Sequence, residues 1–337
     1  MPRATRLGSL LIVSLFFAAA MSACGIVGGA SATHTPTYTA TATLTLTPSA
    51  TSTPVPTPTP EPTPTPPPPS AVANDPYLGA TMRLAQARTL IVRVPRNGAV
   101  SATTTFLNRN LPMLADEGDF WVPIGAGADT APGAYPLSVR LFDASGAVVA
   151  TRTATINVTV TAFPVENVNV PPQDDFLLSP AEVQKEINIR AQVFQQFIPR
   201  KLWETPFIMP VHGTITSPFG IGRSYNGAPV TSHHSGLDIG VPEGTPIKAA
   251  ASGRVAFAGM LTTRGNTVMI DHGLGVFTGY SHLSRIDVTV GQDVTQGQVI
   301  GAAGHTGVAT GPHLHWELIV GGVDVDPTFW TFLGVAP

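Results

Sequence analysis

Cysteine is almost missing: one residue in 337, at Cys24. A single thiol excludes an intrachain disulfide framework, and with it any Cys-rich zinc finger or iron–sulfur site. Charge is scarce as well. Asp, Glu, Lys and Arg make up 12% of the chain and the formal net charge is −3, so there is no electrostatic footprint for nucleic acid. Proline, by contrast, is abundant and uneven: of 33 prolines, 12 fall between Pro36 and Pro69. That block does not belong to a packed domain, and the remaining length allows two modest ones.

The single thiol has a context. Arg3 and Arg6 form a positive start, and Leu7 to Ala23 is apolar apart from Gly8, Ser9, Ser14 and Ser22. The run is short for a membrane span and fits the h-region of a secretory signal. It ends in Met21-Ser22-Ala23-Cys24, which resembles the lipobox of bacterial lipoproteins. The resemblance implies a signal peptide over residues 1–23 and a lipid on Cys24; the alternative is an uncleaved anchor helix. Both readings place the rest of the chain in an extracytoplasmic position, attached to a membrane. Residues 24–75 read as a Thr/Pro-rich disordered tether, since Ser31 to Ser70 is almost entirely Thr, Pro, Ala and Ser. Extended as polyproline II at about 3.1 Å per residue, it would reach roughly 120 Å, toward a cell-wall polymer.

Beyond Asp75 the pattern is mainly β. Thr89–Val94, Leu137–Leu141 and Ile156–Val160 alternate apolar and polar residues as half-buried strands do, with turn signals at Arg96-Asn97-Gly98 and Asp143-Ala144-Ser145-Gly146 between them. Residues 76–162 therefore read as a small Ig-like β-sandwich. Asp116, Glu117 and Asp119 fit a solvated loop. Residues 163–205 read as a linker with a helix. Ser179-Pro180-Ala181-Glu182 is a capping box with proline in the first turn, and Val183, Ile187, Ala191 and Phe194 form one apolar stripe for packing on a neighbouring domain. Residues 206–337 are glycine-rich with short β runs, an antiparallel β-sheet domain.

Eight of the nine histidines lie between His212 and His315. His234 stands four residues before Asp238, His282 follows Tyr280-Ser281, and His313-Leu314-His315 offers two more imidazoles. In a strand, residues i and i+2 share a face, so His313 and His315 project side by side while Leu314 and Trp316 point away. A catalytic zinc takes three His or carboxylate ligands and keeps one position open. Four imidazoles and one carboxylate exceed that need, and spacing alone leaves open which histidines bind metal and which move protons.

These stretches carry a specific resemblance. From Ile215-Thr216-Ser217-Pro218-Phe219-Gly220, through HSGLD, GTPIKAAASGRV, GNTVMIDHGLG, YSHLSRIDV and GPHLHWE to Val325-Asp326-Pro327, the chain is similar to the lysostaphin-type zinc metalloendopeptidases, which cleave peptide bonds of bacterial peptidoglycan. The resemblance implies one Zn2+ held by His234, Asp238 and His315, with His282 and His313 catalytic. It also implies that peptidoglycan stem peptides or cross-bridges are the substrate, and that Arg223, Tyr225 and Asn226 lie in the substrate groove. The alternatives are a non-catalytic wall-binding protein or activator of other hydrolases, or an adhesin in which the sandwich is the working part. The remaining histidines read as structural: His233 at a rim, His272 in a turn, His305 in a loop, His212 exposed. Glu317 reads as a support for the ligands, and Trp316 and Trp330 as core.

Overall fold

A computed structural model describes residues 81–169, 179–203, 206–230 and 232–332; the signal sequence, Cys24 and the proline-rich tether lie outside these residues. Among the described residues no helix is long and apolar enough to cross a membrane.

The first eight strands are β1 (Thr81–Ala85), β2 (Arg88–Pro95), β3 (Ser101–Phe106), β4 (Arg109–Pro112), β5 (Leu114–Asp116), β6 (Asp119–Ala126), β7 (Gly133–Phe142) and β8 (Val148–Thr159). They form a five-stranded sheet, β1-β8-β7-β3-β4, and a three-stranded one, β2-β6-β5. Alternate residues, Leu90, Val92 and Val94 on β2 against Leu137, Val139 and Leu141 on β7, close one core between the sheets. Asp116 and Asp119 pair at the β5–β6 hairpin, and Arg93 reaches Asp119 at 3.3 Å. Trp121 leaves this core. It joins Trp203, Phe207 and Trp330 in the C-terminal core, with its ring edge-on to Trp203.

Next come β9 (Val165–Val168) and helix α1 (Pro180–Phe194). The cap is the one the sequence announces: Ser179 accepts a hydrogen bond from the Glu182 N–H, with Pro180 in the first turn. Only the end of the expected apolar stripe packs: Phe194 lies against Phe277 with ring centroids 5.3 Å apart, beside buried Val193. Ile187 is 50% exposed, while Glu186, Arg190 and Val193 are buried. The reason is ionic. Glu186 accepts from Thr263 and Arg264, and Arg190 donates to Glu317 and Asp324, so charge pairing buries these two residues and leaves Ile187 outside.

The C-terminal strands are β10 (Thr214–Ser217), β11 (Gly222–Tyr225), β12 (Ser232–His233), β13 (Leu237–Gly240), β14 (Pro246–Lys248), β15 (Gly253–Leu261), β16 (Gly265–Gly273), β17 (Val276–Ile286), β18 (Asp293–Val294), β19 (Val299–Ala303), β20 (His313–Val320) and β21 (Val323–Val325), with a terminal helix α2 (Thr328–Phe332). Ten of them build one antiparallel sheet along the path β10-β13-β20-β17-β16-β15-β18, to which β14, β19 and β21 attach. Strand β9 crosses over from the linker and pairs in parallel with β11. Leu314, Trp316 and Trp330 are core residues, each no more than 1% exposed.

Candidate active site

One row across four strands carries the chemistry. Ser217 pairs with Asp238, Asp238 with His315, and His315 with Ser281, across β10, β13, β20 and β17. Facing residues of neighbouring strands come within about 5 Å, so this register sets Asp238 beside His315 although 77 positions separate them in sequence. His234 lies in the loop before β13. Its N–H donates to the Ile221 carbonyl at 2.7 Å and its carbonyl accepts from the Gly220 N–H at 2.9 Å. Two residues on, Gly236 has no alternative: a Cβ there would lie 2.8 Å from the His315 ring and 2.6 Å from the Trp316 carbonyl oxygen.

Three atoms converge. His234 Nε2 is 3.0 Å from His315 Nδ1, and Asp238 Oδ1 is 2.7 Å from His315 Nδ1 and 3.0 Å from His234 Nε2. All three side chains are buried. The outer atoms fix how the rings are protonated. His234 Nδ1 donates to the Pro218 carbonyl at 2.9 Å, which leaves Nε2 with a lone pair. His315 Nε2 lies 3.3 Å from Glu317 Oε1. With its proton there, Nδ1 also turns a lone pair inward. Three lone pairs facing one another repel unless a cation sits among them, and two imidazoles with one carboxylate are a ligand set that zinc accepts.

Without a cation a proton answers the same need. Burial opposes the His315 imidazolium, yet the bonds to Asp238 and Glu317 outweigh it and hold its pKa above the ordinary value. Burial likewise works against the Asp238 carboxylate, but its close contacts with the His234 and His315 rings keep it well below the usual range. His234, dominated by burial, is lowered.

His282 and His313 stand beside this trio with ring centroids 4.7 Å apart. His282 has φ 61°, in the left-handed region, at a register shift where β17 bulges against β16. Such a conformation costs of order 1–3 kcal/mol in a non-glycine residue and survives where the surroundings impose it. Here the His282 N–H is held by the Arg264 carbonyl at 2.8 Å and Nδ1 by the Thr306 carbonyl at 2.8 Å. His313 Nδ1 is held by the Gly311 carbonyl at 2.8 Å. Both rings therefore carry the proton on Nδ1 when neutral and keep Nε2 as a lone pair; that of His313 lies 3.8 Å from Asp238 Oδ1. Burial, with His313 and His315 adding to it, pushes the His282 pKa down to about 3; burial lowers that of His313 too.

A cavity of about 470 Å³ opens over Asp238, His282 and His313, walled by Thr216, Ser217, Arg223 and the loop from Val308 to Pro312. Of the three expected groove residues, Arg223 lines it; Asn226 is not among its lining residues, and the Tyr225 side chain is not described. Arg223 is also tied to the candidate ligands, donating to Asp238 Oδ2 at 2.7 Å. Glu166 and Asn167 from β9 line the same cavity and went unremarked in the sequence, where Val-Glu-Asn-Val reads as an ordinary linker.

The other histidines lie apart from the trio. His233 meets Asp129 at 2.6 Å, His305 meets Glu243 at 3.1 Å, and His212 is exposed. His272 is not in a turn. It is fully buried at the end of β16, bonded to the Ser252 carbonyl and the Thr278 hydroxyl.

Known proteins resemble this chain in sequence and fold. The profile of peptidase family M23 matches residues 232–327. A crystal structure of a putative peptidase M23 from Pseudomonas aeruginosa is 30% identical, covers 73% of this chain and 94% of that one, and superposes with a TM-score of 0.57. The chain belongs to peptidase family M23. The chain is also 43% identical over 120 residues to the DD-carboxypeptidase/endopeptidase Mpg of Neisseria meningitidis, covering 35% of this chain and 27% of that protein. It is 46% identical over 101 residues to the peptidoglycan DD-endopeptidase ShyA of Vibrio cholerae, covering 29% and 24%. The match thus spans about a quarter of the length of these two curated relatives. The M23 match begins at Ser232, so Glu166, α1 and Arg223 all lie outside it.

Proposed function

We propose that this M23 chain is a zinc endopeptidase that hydrolyses peptide bonds of bacterial peptidoglycan, exported and held at the membrane by a lipid on Cys24. The observation that carries the reading is the convergence of His234 Nε2, Asp238 Oδ1 and His315 Nδ1 within 3.0 Å of one another, beside two further imidazoles. Zinc bound by these three residues would supply a Lewis acid for the scissile carbonyl and lower the pKa of a coordinated water toward about 7. The chain's own residues supply the rest. His282 and His313 present Nε2 lone pairs that can take a proton from water, and an imidazolium at either can stabilise an oxyanion or protonate the leaving amine. His313 is the readier to hold a proton, because the Asp238 carboxylate is 3.8 Å from its Nε2.

The peptidoglycan substrate is supported by the names of the relatives, and the location by the lipobox-like Met21–Cys24 and the tether behind it. A non-catalytic wall-binding role is the weaker reading, since all five His and Asp residues are brought to one place. Digestion of purified peptidoglycan by the zinc-loaded chain, with the released peptides identified by mass, tests the proposal. The expected result is new amino termini within the peptide moiety. Intact muropeptides would refute it.

A further inference from the structure

The linker between the sandwich and the M23 region touches the candidate metal centre at two points. On β9, Glu166 accepts from Arg223 Nε at 2.8 Å and from Ser217 Oγ at 3.0 Å. Arg223 passes this on to Asp238, whose Oδ1 faces the histidines while its Oδ2 accepts from the guanidinium at 2.7 Å. A guanidinium bridging two carboxylates has a fixed plane, so Glu166 sets the direction from which Arg223 holds Asp238. On α1, Arg190 donates to Glu317 Oε1 at 3.1 Å, the same oxygen that lies 3.3 Å from His315 Nε2. Arg190 is 11% exposed at its side chain and Glu317 not at all. Two ligand residues out of three are thus braced, each through one intermediate, by a charge from the linker.

We propose that Glu166 and Arg190 are positioning residues for the metal centre: β9 and α1 clamp Asp238 and His315 in ligating geometry, so that linker docking and metal binding strengthen each other. The inference rests on the metal-binding reading above. Partners of metal-ligating side chains influence affinity by setting ring tautomer and carboxylate orientation. Coupling of this kind is reciprocal by linkage.

The two residues have opposite charge, which makes the test decisive. If charge alone mattered, removing Arg190 would tighten binding of a cation, whereas loss of positioning weakens it. With the full chain, zinc affinity is measured by chelator competition for Glu166→Gln, Arg190→Gln, Arg190→Lys and, as a control, Glu182→Gln, whose carboxylate meets Thr262 and Lys185 among the described residues. Zinc Kd should rise about tenfold in Glu166→Gln and Arg190→Gln. Arg190→Lys should recover part of the loss, and Glu182→Gln should stay within twofold of the parent. Amide exchange over Val165–Val168 and Pro180–Phe194 should slow when zinc is added. Affinities within twofold of the parent in folded Glu166→Gln and Arg190→Gln, tighter binding in Arg190→Gln, or zinc-independent exchange would overturn the clamp. A parent chain that binds no zinc would overturn the metal reading, and the clamp with it.

Discussion

Gly279 faces Glu317 across the β17–β20 register, and a Cβ on residue 279 would lie 2.7 Å from Glu317 Oε2. The carboxylate cannot step aside. Its other oxygen takes hydrogen bonds from Arg190, Arg264 and Ser235 and lies against His315. Oε2 itself is buried with no hydrogen-bond partner among the described residues. Gly279 is the space that lets this carboxylate stand behind His315.

Gly279→Ala therefore overpacks the one position where Glu317 has no room to give. Its cost should be about 1–3 kcal/mol, the usual range for a methyl forced into a filled interior. The urea midpoint should fall, and zinc should be lost faster to excess chelator than from the parent. An unchanged midpoint together with unchanged chelator kinetics would show that Glu317 moves freely.

Metal binding and proton transfer should separate by mutation. His282 and His313 are oriented by the Thr306 and Gly311 carbonyls rather than by the ligand trio, so removing either ring leaves the trio standing. His282→Ala and His313→Ala should retain bound zinc while hydrolysis falls by at least about 100-fold. His234→Ala, Asp238→Asn and His315→Ala should lose the metal. Metal analysis alongside a peptidoglycan assay reads both effects, and loss of zinc from His282→Ala would mean that His282 is a ligand.

The candidate site was legible because His313-Leu314-His315 alternates and because the HSGLD and YSHLS segments are specific. What the spacing did not carry was conformation. A strand-like YSHLS gives no sign that His282 adopts φ 61°, since the surroundings impose that bulge. The helix shows the opposite failure. Its capping box marked the start at Ser179, but of the apolar stripe Phe194 packs while Ile187 stays half-exposed. Burial of Glu186 and Arg190 depends on Arg264, Glu317 and Asp324, which are at least 74 positions away. Periodicity cannot see partners at that distance.

That correction has a measurable consequence. Ile187 belongs to the expected stripe yet is half-exposed, so Ile187→Ser should change stability by no more than about 0.5 kcal/mol. Glu186 is 2% exposed and holds Arg264 with two hydrogen bonds from Thr263 beside it. Glu186→Ala leaves the Thr263 N–H and one Arg264 nitrogen without their acceptor while Glu317 still pairs Arg264, and should cost about 1–3 kcal/mol, the range for buried donors left unpaired. Denaturant unfolding of the two variants decides it, and a larger loss in Ile187→Ser would restore the apolar stripe.

Asp271 carries a pH dependence remote from the metal centre. Burial raises its pKa from 3.8 to about 6, against a bond that its Oδ1 accepts from the Gly273 N–H at 2.7 Å. A folded-state pKa above the unfolded one means that ionisation favours the unfolded chain. The contribution of Asp271 is therefore fully present below pH 3.8, lost as pH rises to about 6, and absent above that. Asn cannot ionise and can still accept from Gly273. Asp271→Asn should thus match the parent near pH 3.8 and exceed it at pH 8 by up to about 3 kcal/mol, at about 1.36 kcal/mol per pKa unit. Other titrating groups are common to both proteins and cancel in the difference. Thermal midpoints of the pair across this range check the sign: a gap that is constant with pH, or that widens toward acid, would mean that Asp271 is ionised in the folded chain at no cost.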